Sequence, residues 1–518
     1  MTEHHPQASS EEIFDAALGS PVQDITAEDA AAVFNQAARA HNRLAELPID
    51  VRLEGLRKLL DYLVEHRDEA IDILCRETRK CRTDALVSEV LGVLDNVEWL
   101  LKNARKALSE KKVSTPITLL GKKSRIVHEP LGTVLIIAPW NYPLHIGLTS
   151  ILAAYVCGNA VVYKPSELTP MQGLFEKLFQ VDPILGDSIQ VVYGTGTTAQ
   201  QLIRQKPAKV FFTGSARTGR KILAQCAELL IPVDLELGGK DQAIVFDDVH
   251  LDRAVKGVLW GALTNAGQSC SSVERVYVQD TLYPAFVQRA KAEIDKLVVN
   301  SGDLGNADIG GMTADFQLDI VHQQVVDARA KGAKVLCGGA TLVENELFYL
   351  PTLLTNLDSS MLILQQETFG PLVPIVPFST EEEVVTLSNS TEFGLSASVW
   401  SRDLQRANRV ARRLECGAVS INNVMLTEGN PALPFGGTKA SGYGRQKGVE
   451  GLLGYTRSKS LLIDSDSSKI EPNWYPYTRA KYQLFDQLIQ ALFSHSPWKL
   501  IKAAVIGMKL ESLGSKDR

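Results

Sequence analysis

No cysteine of this chain sits in a CxxC pair or beside histidines at zinc spacing. Redox CxxC motifs and zinc ribbons are therefore excluded, and no metal is expected. The seven cysteines (Cys75, Cys81, Cys157, Cys226, Cys270, Cys337 and Cys416) are odd in number and scattered. That pattern fits a reducing compartment rather than a disulfide scaffold. There is no basic excess either. The net charge is −6, and a nucleic-acid partner usually needs a basic face. The opening residues MTEHHPQASSEE hold no apolar signal core, so the expectation is a cytoplasmic protein. The long stretch without Asp, Glu, Lys or Arg, residues 132–163, is interrupted by Pro139, Asn141, Pro143, His145 and Asn159. A spanning helix needs about 20 predominantly apolar residues, so this segment reads as buried strand, turn, helix and strand. Internal repeats and low-complexity linkers are also missing.

What is present is a chain of 518 residues, 45% hydrophobic and 22% charged. That length favours two or three domains. Residues 1–26 are polar and read as a disordered start. Residues 27–112 read as helical, with Leu53, Leu56, Leu59, Leu60 and Leu63 at spacings of three and four. Short β-branched runs then alternate with helical segments: SRIVHEP, TVLIIAP, AVVYKP, IQVVYG, and later QAIVF, VERVYVQ, TLLTNL, VPIVPF and SASVWS. A helix is expected over LDRAVKGVLWGALTNAG. This alternation predicts an α/β fold with mostly parallel, doubly wound sheets.

Six segments carry residues suited to chemistry. NAGQSC ends at Cys270 in a small, polar loop where a thiol can be approached; an inert buried cysteine is the competing reading. Glu236 lies in the apolar run IPVDLELGG. It is either a surface residue on an edge strand or a desolvated carboxylate able to act as a base. APWNYP sets Asn141 between two prolines, as a turn former or as an amide donor to an oxyanion. In FFTGSARTG a strand runs into Gly214, Ser215 and a helix past Gly219, which suits a phosphate at the helix start. Gly194-x-Gly196-x-x-Ala199 is a weak dinucleotide fingerprint. In YKPSELTP, Lys164 and Glu167 are two solvated charges or a pair on ribose hydroxyls, where a carboxylate favours a free 2′-hydroxyl. Glu367 and Phe369 stand before the Gly-Pro turn of QQETFGPLVPI.

Taken in order, PWN, KPSE, FTGSxxxG, LELGGK, GQxC, ETFGP and PFGGxKxSGxGR resemble the aldehyde dehydrogenase superfamily. The 34-residue step from Glu236 to Cys270 is also similar. The resemblance implies NAD(P)-dependent oxidation of an aldehyde to its acid, with NAD as cofactor and NADP as the alternative. Cys270 would attack the aldehyde, Asn141 and the Cys270 N–H would hold the oxyanion, and Glu236 would activate the water that hydrolyses the thioester. Trp140, Lys164, Glu167, Gly214, Ser215, Gly219, Leu237, Glu367 and Phe369 would bind the cofactor. CoA-acylating members generally lack the glutamate, so Glu236 favours a carboxylate product. A CoA-acylating or ester-hydrolysing relative and a non-catalytic structural protein on the same fold are the alternatives. Arg445-Gln446 departs from the frequent Arg-Glu of the last motif. Tyr142 and WYPYTRAKYQ are most similar to the fatty and aromatic aldehyde branch, PFGGTKASGYGR to the other large branch.

The implied layout is a cofactor domain (27–112 and 131–237), a catalytic domain (238–437), oligomerisation strands (113–130 and 454–463) and a tail (465–518). A homodimer or homotetramer is implied. Leu144, Gly147, Leu148 and residues 424–426 are expected to line the aldehyde entrance, which favours medium or long aliphatic or aromatic aldehydes. Residues 473–518 hold seven Lys/Arg against three Asp/Glu, and apolar residues recur at helical spacing over 482–493. This tail is read as a helix docked on protein or as a basic amphipathic helix on an anionic membrane.

Overall fold

The computed structural model describes residues 22–119, 121–300, 306–342, 347–465 and 470–514. It divides into two compact units, Met1–Ser109 with Val127–Lys459, and Glu110–Ile126 with Ser460–Arg518.

The first unit begins with helices, as the periodicity predicts. Helix Ala27–Leu44 starts on a reciprocal cap between Thr26 and Asp29. Residues 1–21 of the expected disordered start lie outside the described residues. The next few are held: Asp24 accepts the Thr198 hydroxyl at 2.7 Å, and the Ile25 N–H donates to the same hydroxyl oxygen. Helix Ile49–Glu65 buries Leu53, Leu56, Leu59 and Leu63, while Leu60 is only partly covered.

Among the described residues the first unit holds two large sheets. One runs in the order Gly442–Tyr443, Val233–Leu237, Lys209–Gly214, Thr133–Ile137, Ala160–Lys164, Ile189–Val191. Every pairing is parallel except that of the short edge strand Gly442–Tyr443. Central strands of such a sheet are covered on both faces, which is why they read as unbroken apolar runs. Val134, Leu135, Val161 and Val162 are all fully buried. The second sheet runs Lys334–Cys337, Thr352–Thr355, Leu372–Phe378, Val273–Gln279, Asp241–Val245, Ser396–Trp400, Ala418–Ile421, again parallel but for its first strand. Two doubly wound α/β sheets are thus present as expected.

The parallel arrangement matters because it gathers loops. Four neighbouring strands of the first sheet end at Ile137, Lys164, Gly214 and Leu237. They deliver Trp140 and Asn141, Glu167, Ser215, and Gly238 to one carboxyl edge, where open α/β sheets bind ligands.

Helix Leu251–Leu263 is shorter than its periodicity suggests. The following residues form a tight turn with Asn265 and Ala266 in the left-handed region, at φ 50° and 54°. The turn redirects the chain toward Cys270.

In the second unit, strand Lys111–Val113 pairs antiparallel with Ser124–Ile126. Helices Arg479–Leu492 and Lys499–Gly514 pack on each other. No described helix is long and apolar enough to cross a membrane.

Candidate active site and its relatives

Two spaces meet at Cys270. One is an open cleft along the carboxyl edge of the first sheet. The other is a chamber lined by His145, Ile146, Leu395, Glu428, Phe435, Gln446 and Lys447. Thr213, Glu236, Leu237 and Cys270 face both. A ligand in the cleft and another in the chamber would therefore share the thiol and one carboxylate.

Cys270 is itself partly exposed, as expected, and it is carried by an otherwise buried loop. Gln268, Ser269, Ser271 and Ser272 are at most 2% exposed. Burial pushes the Cys270 thiol well up, and Glu428, Asp241, Glu236 and Glu367 add to the rise.

Glu236 lies inside its sheet, opposite Thr213 on one side and Gly442 on the other, not on an edge. It is 5% exposed. Neither carboxylate oxygen has a hydrogen-bond partner. Burial pushes its carboxyl well above the ordinary range; Asp234 and Glu428 add to this while Arg445 opposes it. A bare, neutral-leaning carboxyl beside a thiol suits proton transfer.

Asn141 lies between strand Thr133–Ile137 and helix Pro143–Val156. Its side-chain amide donates one N–H to the Gln268 carbonyl at 3.1 Å, and an amide has a second N–H to give. The Gln268 carbonyl belongs to the loop that carries Cys270, so thiol and amide are tied together.

The cleft holds the other expected residues. Lys164 donates to Glu167 at 3.0 Å. Ser215 caps helix Ala216–Glu228 through the Thr218 N–H. Trp140 and Phe369 meet edge to face, 5.2 Å between centroids. Glu367 accepts the Gly239 N–H at 3.2 Å, and its carboxyl is pushed up to about 8 by burial and Glu274. Trp140, Lys164, Glu167, Gly214, Ser215, Leu237, Glu367 and Phe369 all line this wall. A Cβ on Gly238 would come 2.1 Å from the Glu367 carboxylate, so this stretch of backbone lies bare against it. The capped helix start, the ribose-type Lys–Glu pair and the aromatic corner fit a nicotinamide dinucleotide.

Two expectations change. Gly219 is not on the cleft wall; a Cβ there would meet the Leu237 methyls at 2.7 Å, so this glycine lets helix Ala216–Glu228 approach its strand. Leu144 and Leu148 are fully buried in the helical core, and Gly147 packs on Tyr163. Ile146 and His145 face the chamber instead. Neighbouring helix positions differ by about 100°, so a one-residue phase error exchanges core for cavity. Val424 also packs in the core, and Leu426 is exposed. The chamber is consequently more polar than the expected entrance.

Several wall residues carried no strong signal in the sequence. Gly196 and Ala199 line the cleft, as do Arg217 and Lys221. The first two belong to the weak glycine fingerprint; the basic pair reads as an ordinary solvated helix face. Glu274 was hidden in strand VERVYVQ. It accepts from Lys240 at 2.7 Å and from the Thr368 and Phe369 N–H groups at 2.8 Å each, fixing the turn beside Glu367.

A thiol at the junction of a dinucleotide cleft and a smaller chamber defines an α/β enzyme that works on a bound electrophile with a nucleotide cofactor. The model of the aldehyde dehydrogenase family matches residues 7–461. The chain is 39% identical over 450 residues to a 4,4'-diapolycopene aldehyde oxidase of Methylomonas, covering 86% of this chain and 84% of that one. Among solved structures it resembles a betaine aldehyde dehydrogenase point mutant of Staphylococcus aureus in complex with NAD+. That match has a TM-score of 0.81 and 31% identity, over 88% of this chain and 92% of the other. An NADP-dependent enzyme of E. coli gives a TM-score of 0.80 at 32% identity, over 85% and 91%. The chain belongs to the aldehyde dehydrogenase family, and its activity is NAD(P)-dependent oxidation of an aldehyde.

Proposed function

We propose that the enzyme oxidises a neutral aliphatic or aromatic aldehyde to its carboxylic acid through a Cys270 thioester that water resolves. The observation that carries this is Glu236, buried beside Cys270 with both oxygens unbonded. The Cys270 thiol gives up its proton to solvent as its sulfur adds to the carbonyl carbon. The Asn141 amide and the Cys270 backbone N–H hold the resulting oxyanion. Bound nicotinamide supplies the acceptor for the hydride and its electron pair. Glu236 then takes a proton from water as it adds to the thioester, and the Cys270 thiolate leaves and recovers that proton from Glu236. A CoA-acylating enzyme has no use for a base at that position.

The chamber supports a neutral substrate. Lys447 already donates to the Glu428 carbonyl at 2.5 Å, and the Glu428 carboxylate takes the Ser271 hydroxyl. Ile146, Leu395 and Phe435 supply apolar wall. Glu167 favours NAD, while Arg217 and Lys221 on the same wall would accept a 2′-phosphate. The test is a kinetic panel of aldehydes of rising chain length, each run with NAD and NADP. Neutral aldehydes of medium length should give the highest kcat/KM. A clear preference for an ω-carboxylate semialdehyde would overturn the substrate reading.

The second unit supports a reading of its own, peripheral contact with an anionic membrane. Trp474, Tyr475, Tyr477, Tyr482, Phe493 and Trp498 are each at least 58% exposed. The unit carries thirteen Lys/Arg against seven Asp/Glu in a chain of net charge −6. Aromatic rings with basic neighbours suit the headgroup layer. Flotation with anionic vesicles should fall when Trp474, Phe493 and Trp498 are changed to serine; equal flotation would sink the idea. A homodimer or homotetramer through residues 113–130 and 454–463 remains part of the proposal, read by light scattering.

A further inference from the structure

The segment 80–89 lies outside every motif of the family pattern quoted above, yet it bonds both the Asn141 turn and the turn that precedes Cys270. Lys80 and Glu89 form an ion pair of 2.6 Å with both side chains fully buried. Such a pair is costly to desolvate and is stable only when its remaining donors and acceptors are used. Here they are used on the Asn141 turn. Lys80 also donates to the Asn141 carbonyl at 2.8 Å and lies 4.2 Å from the Tyr142 ring centroid. The second Glu89 oxygen accepts the N–H groups of Leu144 and His145, at 3.1 and 2.8 Å. These belong to the first turn of helix Pro143–Val156, where backbone donors lack intrahelical partners and favour an anion.

Asp84 does the corresponding work on the cysteine side. It accepts the Thr264 hydroxyl and the Asn265 N–H, both at 2.9 Å. Those residues open the left-handed turn that leads to Cys270. Asn265 closes the circuit, donating to the carbonyls of Asn141 and Gln268 at 3.1 Å each. Glu89 itself sits in a π-helical segment, Ala85–Leu91. Such segments are uncommon and recur at functional sites.

We propose that Lys80, Asp84 and Glu89 are positioning residues that hold the two oxyanion donors, the Asn141 amide and the Cys270 N–H, in register. The proposal rests on the oxyanion role given to Asn141 above. Lys80 and Glu89 act through Asn141. Asp84 acts through the turn before Cys270.

The test is a double-mutant cycle read by the rate of the NADH burst. Glu89→Gln and Lys80→Met are each made alone and with Asn141→Ala; Asp84→Asn is made alone. Melting temperature and NAD binding are recorded for each. Each of the three changes alone should slow the burst about 10- to 100-fold, since small misplacement of a catalytic group costs that much. KM for the aldehyde and NAD affinity should stay within about twofold. In the Asn141→Ala background, Glu89→Gln and Lys80→Met should cost less than about threefold more, because the amide they position is gone. Equal losses in both backgrounds would show a general structural role and overturn the proposal. If Lys80→Met does not fold, the isosteric Glu89→Gln carries the cycle. A normal burst in Asn141→Ala would remove the oxyanion role and this proposal with it. A slow Asn141→Ala with a normal Glu89→Gln would remove only the proposal.

Discussion

Two buried glutamates near the cofactor cleft are treated in opposite ways. Glu274 is 4% exposed and saturated: Lys240 and two backbone N–H groups bond its two oxygens. Glu236 is 5% exposed and bare. Leaving a buried carboxylate unbonded is expensive. On the proposed mechanism the molecule leaves it so where a proton has to move, and it supplies donors where a loop has to stay still. Glu274 holds the backbone beside Glu367 and Phe369 in place; Glu236 is available to react. The donors around each carboxylate distinguish an anchor from a base, although burial and residue type are the same.

The sharpest way to break this contrast is at the thiol beside Glu236. Cys270→Ala should lower NADH formation by at least about 10^3-fold, the scale on which removed nucleophiles are felt, while NAD binding, measured by fluorescence quenching, stays close to wild type. Retained turnover would refute the assignment of the nucleophile. Next comes Glu236→Gln, which keeps the shape and removes the base. Steady-state turnover should fall about 10^2- to 10^4-fold, with a burst of NADH surviving in stopped flow because deacylation suffers most. Glu274→Gln should do the reverse. It strands Lys240 in a buried site, which costs about 3–5 kcal/mol of stability, seen as a lower melting temperature and weaker NAD binding, with the ratio of burst to steady state unchanged.

The sequence announces Cys270, Glu236 and Asn141 because each sits within a few residues of backbone that must turn sharply, and such turns leave glycine and proline behind. The same holds for Ser215 and for the Lys164–Glu167 pair. Glu89 and Lys80 left no such trace. Their partners are the Asn141 carbonyl and the N–H groups of Leu144 and His145, more than fifty positions away, and a charge in a helical stretch reads as solvated. Glu274 was masked likewise by the alternation of its own strand. Leu144 and Leu148 failed differently. On helix Pro143–Val156 nearly every position is buried, so apolar character does not tell the chamber face from the core face, and only the helix phase separates them.

The smallest effect is also the most selective, because it turns the bare state of Glu236 into a stability measurement. Burial raises the Glu236 carboxyl well above its unfolded value, which lies near about 4.3. A group raised in this way contributes its stability fully below the unfolded value and loses it as pH climbs through the folded one. Gln does not titrate and escapes that loss. The melting temperature of Glu236→Gln should therefore match wild type in mild acid and exceed it increasingly toward alkaline pH. Asp241 and Glu367, both pushed up to about 8 by burial, soften both proteins alike and cancel in the difference. Glu274→Gln, which loses a bonded partner rather than a strained charge, should melt lower than wild type from pH 6 to 9. If Glu236→Gln instead melts lower than wild type at pH 9, the carboxylate is bonded in the folded protein and the contrast between the two glutamates fails.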